Sequence, residues 1–166
     1  MAKTFVNPIV NPIGAGHLED LAQNLGANEK ITLTRNGIWL SNGSEITHSE
    51  TVKTFFRSIH KDDREYFLKI GPEEKRIEVE ATSYFVTSIT GDPTRGYEMT
   101  LSNGALEPLN LESLHYEAPD LLTCILQNSE RARFLHAPYH LLLSNIILDG
   151  TGDYCLTVCN KRIKLK

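Results

Sequence analysis

Glu65-Tyr66-Phe67-Leu68-Lys69-Ile70 followed by Glu74-Lys75-Arg76-Ile77-Glu78-Val79-Glu80 reads as one copy of a pattern that returns near the end of the chain. The second copy is Asp153-Tyr154-Cys155-Leu156-Thr157-Val158 followed by Asn160-Lys161-Arg162-Ile163-Lys164-Leu165-Lys166. Both keep an acid, Tyr, Leu and then Lys-Arg-Ile. Tyr66 and Tyr154 stand 88 residues apart, and Lys75 and Lys161 stand 86 apart, because the second connection is two residues shorter. An internal duplication predicts two related units packed face to face. The cleft between them is the place to look for function.

Working outward, each copy is the end of a strand-strand-helix-strand-strand unit. Ile31 to Leu40 reads as a hairpin, with Ile31 and Leu33 alternating with threonines and Asn36-Gly37 supplying the turn. Ser49 is a suitable cap for a helix to about His60, with Val52, Phe55, Phe56 and Ile59 facing inward. Lys61-Asp62-Asp63 closes it, and strands follow at Tyr66 to Ile70 and Arg76 to Thr82. In the second unit, Leu122 to Leu126 and Arg131 to Leu135 read as strands around Asn128-Ser129. Pro138 starts a helix to about Ile147, since proline suits the first helical turn. Two strands finish the chain. Between the units lie a strand at Tyr84 to Ile89, a hairpin over Glu98 to Asn110 around Asn103-Gly104, and a connector from Leu111 to Pro119.

The expected fold is therefore α+β, an internally duplicated chain. Residues 1–30 form an extended arm and a short helix (His17 to Leu25), 31–96 the first repeat, and 97–166 the second repeat with an added hairpin. A rival register, offset by 67, aligns Asn36-Gly37 with Asn103-Gly104. It would put Pro119 inside the first helix's pattern and Pro138 in a strand, so the offset of 88 is preferred.

Composition sets bounds on function. The chain has 166 residues, 40% of them apolar and 23% charged, the balance of a folded globular chain. Its net charge of −4 argues against general binding to nucleic-acid phosphates. Arg162, Lys164 and Lys166 alternate along one strand face and read as charge guarding an edge. Three cysteines (Cys124, Cys155 and Cys159) show no metal-type spacing and suggest a reducing compartment. Pro8 and Pro12 interrupt any signal-peptide pattern, and no run is long enough to span a membrane. A cytoplasmic protein is expected. G-x-S-x-G, G-x-x-x-x-G-K and G-x-G-x-x-G patterns are all missing, which removes the commonest nucleophile and nucleotide machinery.

The chain from roughly residue 30 to 166 resembles the bacterial domain-of-unknown-function family 1285. The likeness is carried by Asn36-Gly37-Ile38-Trp39, Gly43-Ser44-Glu45-Ile46, Pro72-Glu73-Glu74-Lys75 with Ile77, Val79 and Glu80, then Ser102-Asn103-Gly104 and Ala132-Arg133. The resemblance implies a duplicated α+β fold whose second half looks superficially like a pleckstrin-homology domain. It also implies ligand sensing in signal transduction, with a nucleotide-like molecule held between the halves. This chain departs from the family pattern at Ala81-Thr82-Ser83-Tyr84, where the family has an acid, a proline and an aromatic. It also has His48 and His136 where the family has arginines just before the two helices.

His48 and His136, 88 apart, are equivalent under the duplication, each one residue before an apparent helix cap. Helix N-termini present unpaired N–H groups and partial positive charge, so two such starts with a histidine each are candidates to grip an anion, more tightly at low pH. Glu74 and Lys75 are candidates to pair across the interface, Arg133 follows from the resemblance, and Trp39 sits beside the hairpin turn as a further ligand-binding candidate. His136 and His140 have a metal-compatible i, i+4 spacing, but no acid or cysteine nearby in sequence completes a set, so no metal and no cofactor is expected. Glu78 and Glu80 share a strand face, the ordinary pattern of a half-buried strand rather than a catalytic pair.

Three classes of function follow, of which a hydrolase using Glu78 or Glu80 with a histidine ranks last. The first is a non-enzymatic sensing module for a small anionic or nucleotide-type ligand between the repeats. The second is a protein-interaction module in which the half resembling a pleckstrin-homology domain docks a peptide on a strand edge.

Overall fold

The structure, a computed structural model, describes residues 28–117, 121–158 and 161–164. The expected arm, the helix at His17 to Leu25, Cys159 and Lys166 lie outside the described residues. No helix among the described residues is long and apolar enough to cross a membrane.

The first sheet opens with a meander of β1 (Ile31–Leu33), β2 (Trp39–Ser41) and β3 (Ser44–Glu45). Helix α1 (Ser49–Ser58) follows, and then a second meander of β4 (Ile59–Asp62), β5 (Glu65–Ile70) and β6 (Glu73–Val79). β6 returns to pair with β1 in parallel, Leu33 opposite Val79, giving the order β3-β2-β1-β6-β5-β4.

The second sheet repeats this plan. β7 (Tyr84–Asp92), β8 (Gly96–Leu101) and β9 (Leu106–Pro108) form one meander. β10 (His115–Glu117), β11 (Leu121–Ile125) and β12 (Arg131–Phe134) form the other. β12 pairs in parallel with β7, and the order is β10-β11-β12-β7-β8-β9. A 3₁₀ turn (Leu111–Ser113) stands where α1 stands in the first sheet. After it come α2 (His136–Leu143) and a three-stranded antiparallel sheet of β13 (Ile146–Leu148), β14 (Tyr154–Val158) and β15 (Lys161–Lys164).

The fold is thus α+β, with two six-stranded sheets of like topology, as a duplicated unit requires. The spacing of the repeat needs correction in detail. The match at offset 88 holds for element order, since a helix followed by a three-strand meander occurs at α1–β6 and again at α2–β15. It does not hold for the sheets. β6 closes onto β1, whereas β11 takes β10 as its neighbour and leaves β15 in a separate sheet. β7, assigned by sequence to the first repeat, belongs to the second sheet, and the division between the six-stranded sheets falls between Val79 and Tyr84.

Several local expectations are also corrected. The first helix ends at Ser58, because Ile59 adopts an extended conformation (φ −71°, ψ 131°) and begins β4. Its cap is His48, not Ser49. The second helix begins at His136, which puts Pro138 third within it, still in the first turn, where its missing N–H costs nothing. The connector at Leu111 to Pro119 contains the 3₁₀ turn and β10.

Each large sheet supports its own core. Ile31, Leu33, Trp39, Phe55, Leu68 and Ile77 lie in the first. Met99, Leu122, Ala132, Phe134, Leu142 and Leu156 lie in the second. α1 buries Thr51, Phe55 and Phe56 on one stripe, with Glu50 in its first turn and Arg57 in its last, both signs complementing the helix dipole. β7 joins the cores. Successive side chains of a strand point to opposite faces, so Phe85 enters the first core and Val86 the second.

Candidate functional site

The first unit's β1–β2 loop reaches the junction of β12 and α2. Gly37 makes the approach possible: its φ is +77°, and a Cβ there would stand 3.4 Å from both the Leu135 side chain and the Phe85 ring. Leu135 in turn packs against the first core and donates its N–H to the Val86 carbonyl. Beside this contact is an open cleft of about 600 Å³. Asn36 contributes to it from the first unit, and Arg133, Leu135, His136, Tyr139 and His140 from the second.

Two of the expected ligand-binding residues, Arg133 and His136, therefore meet in one cleft. Arg133 projects from β12 beside α2 and makes no ion pair with a described residue. His136 is the first residue of α2, whose N-cap Leu135 provides no side-chain cap. The Nε2 atoms of His136 and His140 are 3.0 Å apart. No carboxylate lines the cleft among the described residues.

The other candidates sit elsewhere. His48 caps α1, its Nδ1 accepting the Thr51 N–H at 3.3 Å and lying 3.0 Å from Thr51 Oγ1. The imidazole thus occupies the place an anion would take at that helix start. His48 and His136 are equivalent in sequence pattern and differ in role. Trp39 is 1% exposed and packs edge-on to Phe55 and Phe56, with centroids 5.2 and 5.4 Å away, as a core ring. Glu74 pairs with His60 of its own sheet at 3.0 Å, not across the interface. Lys75 stands opposite Leu68 in the β5–β6 register. Asn36 and His140, which also line the cleft, carry no local sequence signal of anion ligation. The sequence marks Asn36 as a turn former, and nothing local in it shows which element that loop meets.

A polar contact also joins the units at the β11–β12 turn. Lys61 of β4 reaches Glu130 at 3.3 Å, and this partner's hydrogen bond holds the Lys61 ammonium above its ordinary range.

Two solved structures share this architecture. A crystal structure of a domain-of-unknown-function family 1285 protein from Silicibacter pomeroyi DSS-3 superposes with a TM-score of 0.60 at 12% identity, covering 82% of this chain and 79% of that one. Another, from Shewanella baltica OS155, gives a TM-score of 0.53 at 19% identity, covering 70% of this chain and 92% of that one. No protein-family model matches the sequence, and no curated protein matches it. At these identities the likeness is one of fold: the chain has the fold seen in proteins of family 1285.

Proposed function

We propose that this chain is a non-enzymatic sensing module that binds a small oxyanion, of the phosphate, carboxylate or nucleotide class, in the cleft between its two units. The observation that carries the reading is the cleft's lining: a guanidinium without an ionic partner among the described residues, two imidazoles and an amide, with no carboxylate to oppose an anion. A ligand that bridged Asn36 and Arg133 would tie the first unit to the second, which is how binding would be transmitted in a cytoplasmic signalling role. Arg133 offers planar, charge-assisted hydrogen bonds of the kind that recognise phosphate and carboxylate.

A thermal-shift series with inorganic phosphate, pyrophosphate, dicarboxylates and nucleotides tests this. A ligand at 100 times its Kd adds about 2.7 kcal/mol of stability. The shift should vanish in Arg133→Met. A set of anions that produces no shift, or a shift unaltered in Arg133→Met, removes the reading.

The rival reading, a protein-interaction module, draws on a different surface. Ile147, Leu148 and Tyr154 are 53%, 63% and 51% exposed on the three-stranded sheet, with β13 at its edge. A partner peptide adding a strand there would protect β13 amides from hydrogen exchange, whereas an anion in the cleft would not.

A further inference from the structure

His136 and His140 stand about one turn apart on α2, so their side chains share a face. Their rings are exposed on the cleft wall, with centroids 4.2 Å apart and planes at 65°. The Nε2 atoms lie 3.0 Å apart. In a hydrogen bond between two imidazoles, one Nε2 donates its proton and the other offers its lone pair. A metal ion can bridge the two nitrogens from one side of the line between them once the donor ring passes to its Nδ1–H tautomer. Both Nε2 lone pairs are then free, the rings turn by some tens of degrees to bring them onto the ion, and the pair loses no proton.

The separation of the two nitrogens suits one geometry as it stands. With metal–nitrogen bonds of about 2.05 Å, nitrogens 3.0 Å apart subtend about 94° at the ion. That is the cis angle of square-planar or octahedral coordination. The tetrahedral angle of about 109° preferred by zinc would need the nitrogens spread to about 3.3 Å. Imidazole suits copper(II) and nickel(II), and both accept cis nitrogen pairs. Calcium and magnesium need oxygen ligands, and no carboxylate lines this cleft among the described residues.

We propose that His136 and His140 form a two-imidazole clamp for copper(II) or nickel(II), with the remaining coordination positions open to the cleft. The positive end of α2 and Arg133 both oppose a cation here. The affinity is therefore that of an open two-ligand chelate, weaker than that of a closed structural site. The inference goes beyond the anion reading and stands without it, because the metal ion alone is the probe.

The test titrates the untagged full chain with copper(II), nickel(II) and zinc(II) by calorimetry and records the electron paramagnetic resonance of the copper form. The expected result is a site whose copper affinity falls at least tenfold in His136→Ala and in His140→Ala, with nickel bound at least as tightly as zinc. The copper spectrum should show coupling to two imidazole nitrogens in the parent chain and to one in each variant. His140→Gln, with circular dichroism to show that the fold is kept, separates lost ligation from lost structure. Copper affinity unchanged in both alanine variants, a two-nitrogen signal that survives His136→Ala, or zinc bound more than tenfold tighter than nickel would each overturn the clamp.

Discussion

The rings of Phe56 and Phe85 meet edge to face with their centroids 6.0 Å apart, and through that contact a strand of the second sheet enters the first core. Phe85 is wholly buried, and its neighbour Val86 is wholly buried in the other core. The units thus interlock through β7, whose alternating side chains serve both cores.

Phe85→Ala should cost about 3–5 kcal/mol, the range for removing a buried aromatic ring. Phe55→Ala, in the same core against Trp39, should cost a similar amount. Urea denaturation measures both. A double-mutant cycle between Phe56 and Phe85 should show coupling of about 0.5–1.5 kcal/mol. A loss under about 1 kcal/mol for Phe85→Ala would show that β7 does not bridge the cores.

Gly37→Ala should destabilise by about 1–2 kcal/mol, because an L-residue at φ +77° is strained in the left-handed region. The new methyl also meets Leu135 and Phe85 at 3.4 Å, the near limit of van der Waals contact. Gly43→Ala, at φ +83° with open space around it, is the control for strain alone. Equal losses at the two positions would show that the loop does not press on the second unit.

Burial pushes the Cys124 thiol up to about 12, with the nearby Glu107 carboxylate adding to the effect. The thiolate is the reactive form, so Cys124 should resist iodoacetamide at pH 8 in the native protein and react promptly in urea. Peptide mass spectrometry after pulsed alkylation reads each cysteine separately. Fast native labelling of Cys124 would contradict the packing described for β11.

In the turn between β13 and β14, Asp149 Oδ1 accepts from the Thr151 hydroxyl at 2.6 Å and from the N–H groups of Thr151 and Asp153 at 2.9 Å. These bonds, the Thr151 hydroxyl first, hold its carboxyl well below the usual carboxylate range. A carboxyl depressed in the folded state contributes stability that is fully present above its unfolded value, about 4, and is lost as pH falls through the folded value. Asp149→Asn should therefore lower Tm at pH 7, and its deficit should shrink as pH is taken below about 4. A deficit that is constant across this range would assign the effect to geometry and not to charge.

The sequence carried the elements better than their assembly. Hairpins at Asn36-Gly37 and Asn103-Gly104, strands at Tyr66 to Ile70 and Leu122 to Leu126, and a helix after Ser49 all follow from local pattern, because turn residues and apolar period act over a few positions. Short strands with little alternation, such as Ser44–Glu45 and His115–Glu117, had no such signal. The return of β6 to β1 and of β12 to β7 is a long-range pairing, written in no local motif. For the candidate cleft, Arg133 comes from the family resemblance and His136 from its place before a helix. Arg133 and His136 lie near one another along the chain, while Asn36 arrives from the other unit through a loop whose destination only the fold determines. His48 and His136 part company because a histidine before a helix reads alike whether it faces a cleft or, like His48, caps its helix.

The closing pairs β1–β6 and β7–β12 have a consequence for biosynthesis. In each six-stranded sheet the strand made first takes the strand made last as its parallel partner. A nascent chain that has emerged only through β5 still carries β1 as an open edge, lacking the partner that joins its two meanders. Pairings of high sequence separation must meet their loop-closure entropy before any contact repays it, so each sheet completes as its last strand docks. Messages truncated inside either unit would then yield chains with an uncapped strand edge, the kind of species that chaperones hold and that aggregates when they do not.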